Sequence, residues 1–106
     1  MDEYVDTLEQ PNEKFTSIEI EELKKKLNNL EIKFDDLLQK NVINENELRV
    51  LKQQLNGAEQ DLSAFTKKIW YKTSMRNVIG KTKSILTSKE GREVALGLVK
   101  KLIGLE

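Results

Sequence analysis

The sequence predicts an all-α protein: a long coiled coil, favoured as a parallel homodimer, followed by short amphipathic C-terminal helices. Three observations predict it. Apolar residues recur in unbroken three- and four-residue steps from Ile20 to Ile69. The single proline, Pro11, precedes that stripe, and glycines with short polar residues cut up the chain beyond it. Finally, 38% hydrophobic and 34% charged residues suit long amphipathic helices better than a large globular core.

Residues 1–15 read as a flexible acidic arm, because Pro11 cannot sit inside a helix and acidic side chains surround it. Tyr4, Val5 and Leu8 within it could line one side of a short helix or form a docking peptide. The start, MDEYVDTLEQ, lacks the apolar core of a secretory signal.

Residues 16–72 are the predicted oligomerisation helix. Thr16 and Glu19 have capping-box spacing, and Phe15 with Ile20 has that of a hydrophobic staple. The expected interface is Ile20, Leu23, Leu27, Leu30, Phe34, Leu37, Asn41, Asn44, Leu48, Leu51, Leu55, Ala58, Leu62, Phe65 and Ile69. Their mean spacing of about 3.5 residues keeps the stripe on one line only if the helix winds around a partner. A straight helix over this range would be about 85 Å long at 1.5 Å per residue. Its leucines, each contributing about 1.5–3 kcal/mol when buried, would compel association.

In a parallel register, flanking charges pair Lys26 with Glu31, Lys40 with Glu45 and Glu47 with Lys52, and Asn41 at a core position specifies two strands. An antiparallel dimer satisfies the same stripe, pairing Lys26 with Asp61, Lys40 with Glu47, Lys24 with Glu59 and Glu31 with Lys52. So does one chain folded as a helical hairpin at Asn41–Ile43, where Ile43-Asn44-Glu45-Asn46-Glu47-Leu48 repeats the staple-and-cap spacing. Off the stripe, Ile43 and Val50 lie one heptad apart and offer a second contact face.

Residues 73–106 form the predicted basic amphipathic tail. Its first piece places Met75, Val78, Ile79, Thr82, Ile85 and Leu86 on one side. Thr87-Ser88-Lys89-Glu90 then reads as a capping box for a helix whose apolar arc includes Val94, Leu98, Leu102 and Leu105.

Without cysteine or histidine the chain has no disulfide, thiolate nucleophile, imidazole base or Cys/His zinc site. Neither metal nor cofactor is expected. Asp35 and Asp36 are adjacent, so they point to different sides of a helix. Gly80-Lys81-Thr82 lacks the earlier glycine of a phosphate loop, with Met75 in its place. These features predict a non-enzymatic protein. No stretch approaches the ~20 apolar residues of a membrane span, and the lack of cysteine fits an intracellular, cytoplasmic setting.

Charge is strongly asymmetric. Residues 1–66 carry eight basic and fifteen acidic side chains, whereas residues 67–106 carry ten basic and three acidic. A basic end implies an anionic partner. The expectation is a scaffold presenting that end, peripherally, to a membrane surface or a partner protein. In the membrane version, Trp70 and Tyr71 sit at headgroup level, Lys81, Lys83, Lys100 and Lys101 attract lipid, and Val94, Leu98, Leu102 and Leu105 enter it. The alternative is nucleic acid, with Lys67, Lys68, Lys72, Arg76, Lys81 and Lys83 on phosphates and Trp70 and Tyr71 stacked on bases. A third reading folds the C-terminal helices onto each other or the coil, making their apolar arc a small core.

Overall fold

Helix α1 (Ser17–Gln39) stops well short of the predicted length, and the residues that stop it can be named. Its start is as expected: the Thr16 hydroxyl accepts from the Glu19 amide, and the Glu19 carboxylate accepts from the Thr16 amide. Its end is a Schellman motif. Asn41 adopts a left-handed backbone, φ 60°. The Asn41 amide donates to the Leu38 carbonyl at 3.0 Å and the Val42 amide to that of Leu37 at 2.9 Å. Asparagine tolerates this conformation better than any other residue with a Cβ. Three residues after Asn41, Asn44 caps α2 (Glu45–Asp61) in a second reciprocal box with Glu47, both bonds 2.8 Å.

The computed structural model describes residues 12–103, with side chains described as far as residue 102. The arm residues Tyr4, Val5, Leu8 and Pro11, and Leu105 in the tail, lie outside that range. Within it, the continuous helix over 16–72 and the long parallel coiled coil are corrected to a hairpin turning at Lys40–Asn44. The two arms bury Leu23, Leu27, Leu30, Phe34 and Leu37 against Leu48, Leu51, Leu55 and Ala58 of the same chain. Lys52 on α2 reaches Asp35 at 2.8 Å and Glu31 at 3.9 Å on α1. Its hydrogen bond to Asp35 raises the ammonium pKa above its ordinary value. The expected Lys40–Glu47 pair gives way to Lys40–Asp36 at 2.8 Å at the C-terminal end of α1.

Asn41 distinguishes the hairpin from the rod energetically. A branched apolar residue in the left-handed conformation costs about 1–2 kcal/mol, so Asn41→Leu should lower stability by that amount in urea unfolding. At a coiled-coil core position the same change would stabilise, and that result would overturn the turn described here.

A second helical run starts at Thr66, whose hydroxyl accepts from the Ile69 amide at 3.4 Å. It comprises α3 (Lys67–Ile69), a π-helical segment (Trp70–Met75) and α4 (Arg76–Ile85), in uninterrupted succession. The wider π turn carries Trp70, Tyr71, Ser74 and Met75 inward. The Trp70 indole N–H donates to the Ala58 carbonyl and the Ser74 hydroxyl to the Asp61 carboxylate, both at 2.8 Å. Ile69, expected in the stripe, is instead 44% exposed. The segment before α1 is zipped onto this run by a Lys14–Thr66 bridge and a Lys67 amide to Glu13 carbonyl bond of 2.9 Å. Phe15 thereby packs edge-on to Trp70, with ring centroids 5.6 Å apart.

Helix α5 (Lys89–Ile103) is capped by Ser88, whose hydroxyl accepts from Gly91; the expected Thr87–Glu90 box does not form. Gly91 lies so close to the hairpin turn that a Cβ would stand 2.8 Å from the Val42 carbonyl oxygen, which only glycine avoids. Ala95 and Val99 are fully buried, and α5 packs against α1 and α4. The result is an all-helical bundle of 40 × 24 × 18 Å with one apolar core. Among the described residues, no helix is long and apolar enough to cross a membrane.

Candidate functional site

Chemistry on this molecule concentrates on the outer side of the run from Lys67 to Ile85. Between Asp61 and Glu90 the chain has no acidic residue, yet it carries Lys67, Lys68, Lys72, Arg76, Lys81, Lys83 and Lys89. The inner side of the run is fixed by Trp70, Met75, Val78 and Thr82, all fully buried against the hairpin and α5. This leaves Lys68 and Lys72 half-exposed and Arg76, Lys81 and Lys83 exposed. Among the described residues, Lys68, Lys72, Lys81 and Lys83 have no carboxylate within ion-pair distance.

The π turn arranges the first cations. On a regular α-helix residues four apart drift by about 40° per step. In a π-helical turn, closed by i→i+5 bonds, the same four residues fall short of a full circle. The two deviations oppose each other between Lys68 and Arg76, so Lys68, Lys72 and Arg76 keep one line. Lys83 follows Arg76 two turns further on the same face. The row spans roughly 20 Å at about 1.5 Å per residue.

Lys67 belongs to a different structure. Its side chain is only 10% exposed and its ammonium lies 3.0 Å from Glu19. The backbone hydrogen bond from Thr16 and then the Lys67 contact hold the Glu19 carboxyl below its ordinary pKa. Lys67 thus ties α1 to α3 and leaves the phosphate-contact set.

Other expected site residues are distributed differently. Trp70 and Tyr71 are buried, at 0% and 5% exposure, so neither headgroup nor base can reach them. On α5, Val94 is exposed, Lys100 and Lys101 are exposed, and Leu98 and Leu102 are half-buried beside Leu30. The self-packing reading of the tail therefore describes its observed part, with Ala95 and Val99 at its centre. Of the expected interface, Leu62 is buried, Ile20 and Phe65 are half-buried, and Asn41 and Asn44 are exposed in the turn.

Two features escaped the sequence reading. Glu47 is buried because one carboxylate oxygen accepts from Asn44 and the other from the Thr87 amide at 3.0 Å, joining the hairpin turn to the α4–α5 loop. The second is a shallow cleft between α2 and α4, lined by Gln54, Arg76, Asn77, Gly80, Lys81 and Ser84. The i, i+4 spacing of Lys68, Lys72 and Arg76 was the available signal for the cationic row. Among the described residues, no cluster of carboxylates could hold a metal ion.

Residues 2–76 match the family described as Protein ChrB, N-terminal. The chain belongs to that family. In this ChrB N-terminal relative, the matched part embraces both hairpin arms, α3, the π-helical segment and the first residue of α4. It therefore includes Lys68, Lys72 and Arg76, while Lys81, Lys83 and α5 lie beyond it. No curated protein and no solved structure matches the chain at a significant level.

Proposed function

We propose that this protein is a non-enzymatic binding module that grips the phosphate backbone of duplex nucleic acid through the outer side of α3–α4. The observation that carries the reading is the acid-free helical run with aligned cations, set on a hairpin whose own sequence is acidic. A row of about 20 Å matches roughly six phosphates of one strand at 3.4 Å per step along the duplex axis. The aromatic residues that would stack on unpaired bases are in the core, which favours duplex over single strand. The contacts proposed here go to phosphates, which carry no sequence information directly, so binding is expected to be sequence-independent.

The same observations weigh against the scaffold and membrane readings. The leucine strip is covered within one chain, so association is not required to shield it, and light scattering should report a monomer. The inner part of the tail's apolar arc is likewise spent on the core.

Duplex binding followed by fluorescence anisotropy at several salt concentrations tests the proposal. The slope of log K against log salt changes by about 0.9 per neutralised phosphate. Lys68→Glu with Lys72→Glu should therefore flatten it by nearly two. Absence of retention at low salt, or a slope unmoved by the double change, would overturn the reading.

A further inference from the structure

We infer that the cleft between α2 and α4 is the seat for one phosphodiester group of that duplex, the point at which the backbone is held rather than merely attracted. The inference rests on the duplex-binding reading and deepens it. Four properties single the cleft out from the surrounding surface.

Its polar groups suit a phosphate. Arg76 and Lys81 place two cationic side chains in its lining. Gln54 and Asn77 bring amide N–H donors from two different helices. Among the described residues, no carboxylate lines the cleft to repel an anion. Ser84 forms part of the wall, its hydroxyl donating to the Lys81 carbonyl at 3.4 Å.

Space is present where the anion must enter. Gly80 is exposed, and a Cβ built on it would meet no atom within 4 Å. The frame is also rigid. Directly behind the lining residues, Val78 and Thr82 are fully buried and the Thr82 hydroxyl donates to the Val78 carbonyl at 2.7 Å. Gln54 sits beside buried Leu55 on α2. Finally, the cleft lies on the row: Arg76 is both its third cation, between Lys72 and Lys83, and a wall of the cleft. A strand tracking Lys68 and Lys72 delivers its next phosphates to this place, and one seated group sets the register of the rest.

Gly80→Glu tests the seat in the full chain. It fills the cleft with a carboxylate and replaces glycine by a better helix former, so the melting temperature should not fall. The control is Thr73→Glu, which adds the same charge at an exposed position on the same run outside the cleft. The expected result is at least a tenfold loss of duplex affinity for Gly80→Glu and a clearly smaller loss for Thr73→Glu. Equal losses, or none for Gly80→Glu while Lys68→Glu with Lys72→Glu abolishes binding, would remove the seat and leave the cationic row. If the unaltered protein fails to bind duplex at all, the parent reading falls with it. Vesicles of phosphatidylglycerol and inorganic phosphate serve as the other arms. Tighter, Gly80→Glu-sensitive binding to either than to duplex would assign the cleft to a headgroup or a free anion and overturn the nucleic-acid assignment.

Discussion

Trp70→Ala should destabilise the protein by about 3–5 kcal/mol, the range for truncating a fully buried large aromatic. Trp70 is 0% exposed and stands where the hairpin end, the segment before α1 and the π turn meet. Its ring packs edge-on to Phe15 and to Tyr71, with centroids 5.6 and 5.0 Å away. Truncation removes both ring contacts, opens a cavity and leaves the Ala58 carbonyl without its indole donor. Trp70→Phe separates these contributions. It retains most of the packing but loses the hydrogen bond, so a smaller loss of about 1–3 kcal/mol is expected from the unsatisfied acceptor. Guanidinium unfolding followed by circular dichroism measures both. A loss below about 1 kcal/mol for the alanine variant, within the range of ordinary surface changes and small core adjustments, would mean that the indole is not buried in solution.

Glu47→Ala is the second large effect, at about 2–3 kcal/mol, since it strands the Asn44 and Thr87 amides in a half-buried setting. Glu47→Gln retains one acceptor oxygen and should restore part of the loss. The contact is diagnostic because Thr87 is forty residues away in sequence. A hairpin alone would lose only the capping contribution, about 1 kcal/mol. Hydrogen exchange at the Thr87 amide reports the same contact directly. Exchange at the rate of an open loop in the unaltered protein would contradict the bond between Glu47 and Thr87.

Much of this architecture is legible in the chain, and what is not traces to identifiable residues. Thr16, Glu19, Asn44 and Glu47 announced both helix starts by spacing alone. The hairpin is among the arrangements the stripe allows, and the heptad phase, which crosses the turn without a slip, favours the rod. That phase is no test of continuity, because an asparagine at a core position and one in a left-handed turn are the same letter. Asn41 serves the second purpose. The inward side of the run from the π-helical segment into α4 is visible in Met75, Val78 and Thr82 through their helical spacing.

The π turn was not legible. Its i→i+5 bonding depends on Trp70 finding Ala58 and Ser74 finding Asp61, contacts that no local pattern encodes. Ile69 is therefore exposed, and Trp70 and Tyr71 buried, against the positions that regular spacing assigns them. The cleft was hidden for a related reason: Gln54 reaches it from a different helix. By contrast, the basic character of the run needed only counting, although Lys67 had to be subtracted once its pairing with Glu19 was seen.

The join between Glu13–Phe15 and Thr66–Trp70 also bears on the order of assembly. The hairpin can condense from neighbouring residues, whereas Phe15 meets Trp70 only after all the intervening chain has been drawn into a loop. Such closures come late when short-range contacts are available first. As the sole tryptophan, Trp70 makes that late event optically visible: its emission should shift toward the blue in a slower kinetic phase than the one in which helical ellipticity appears.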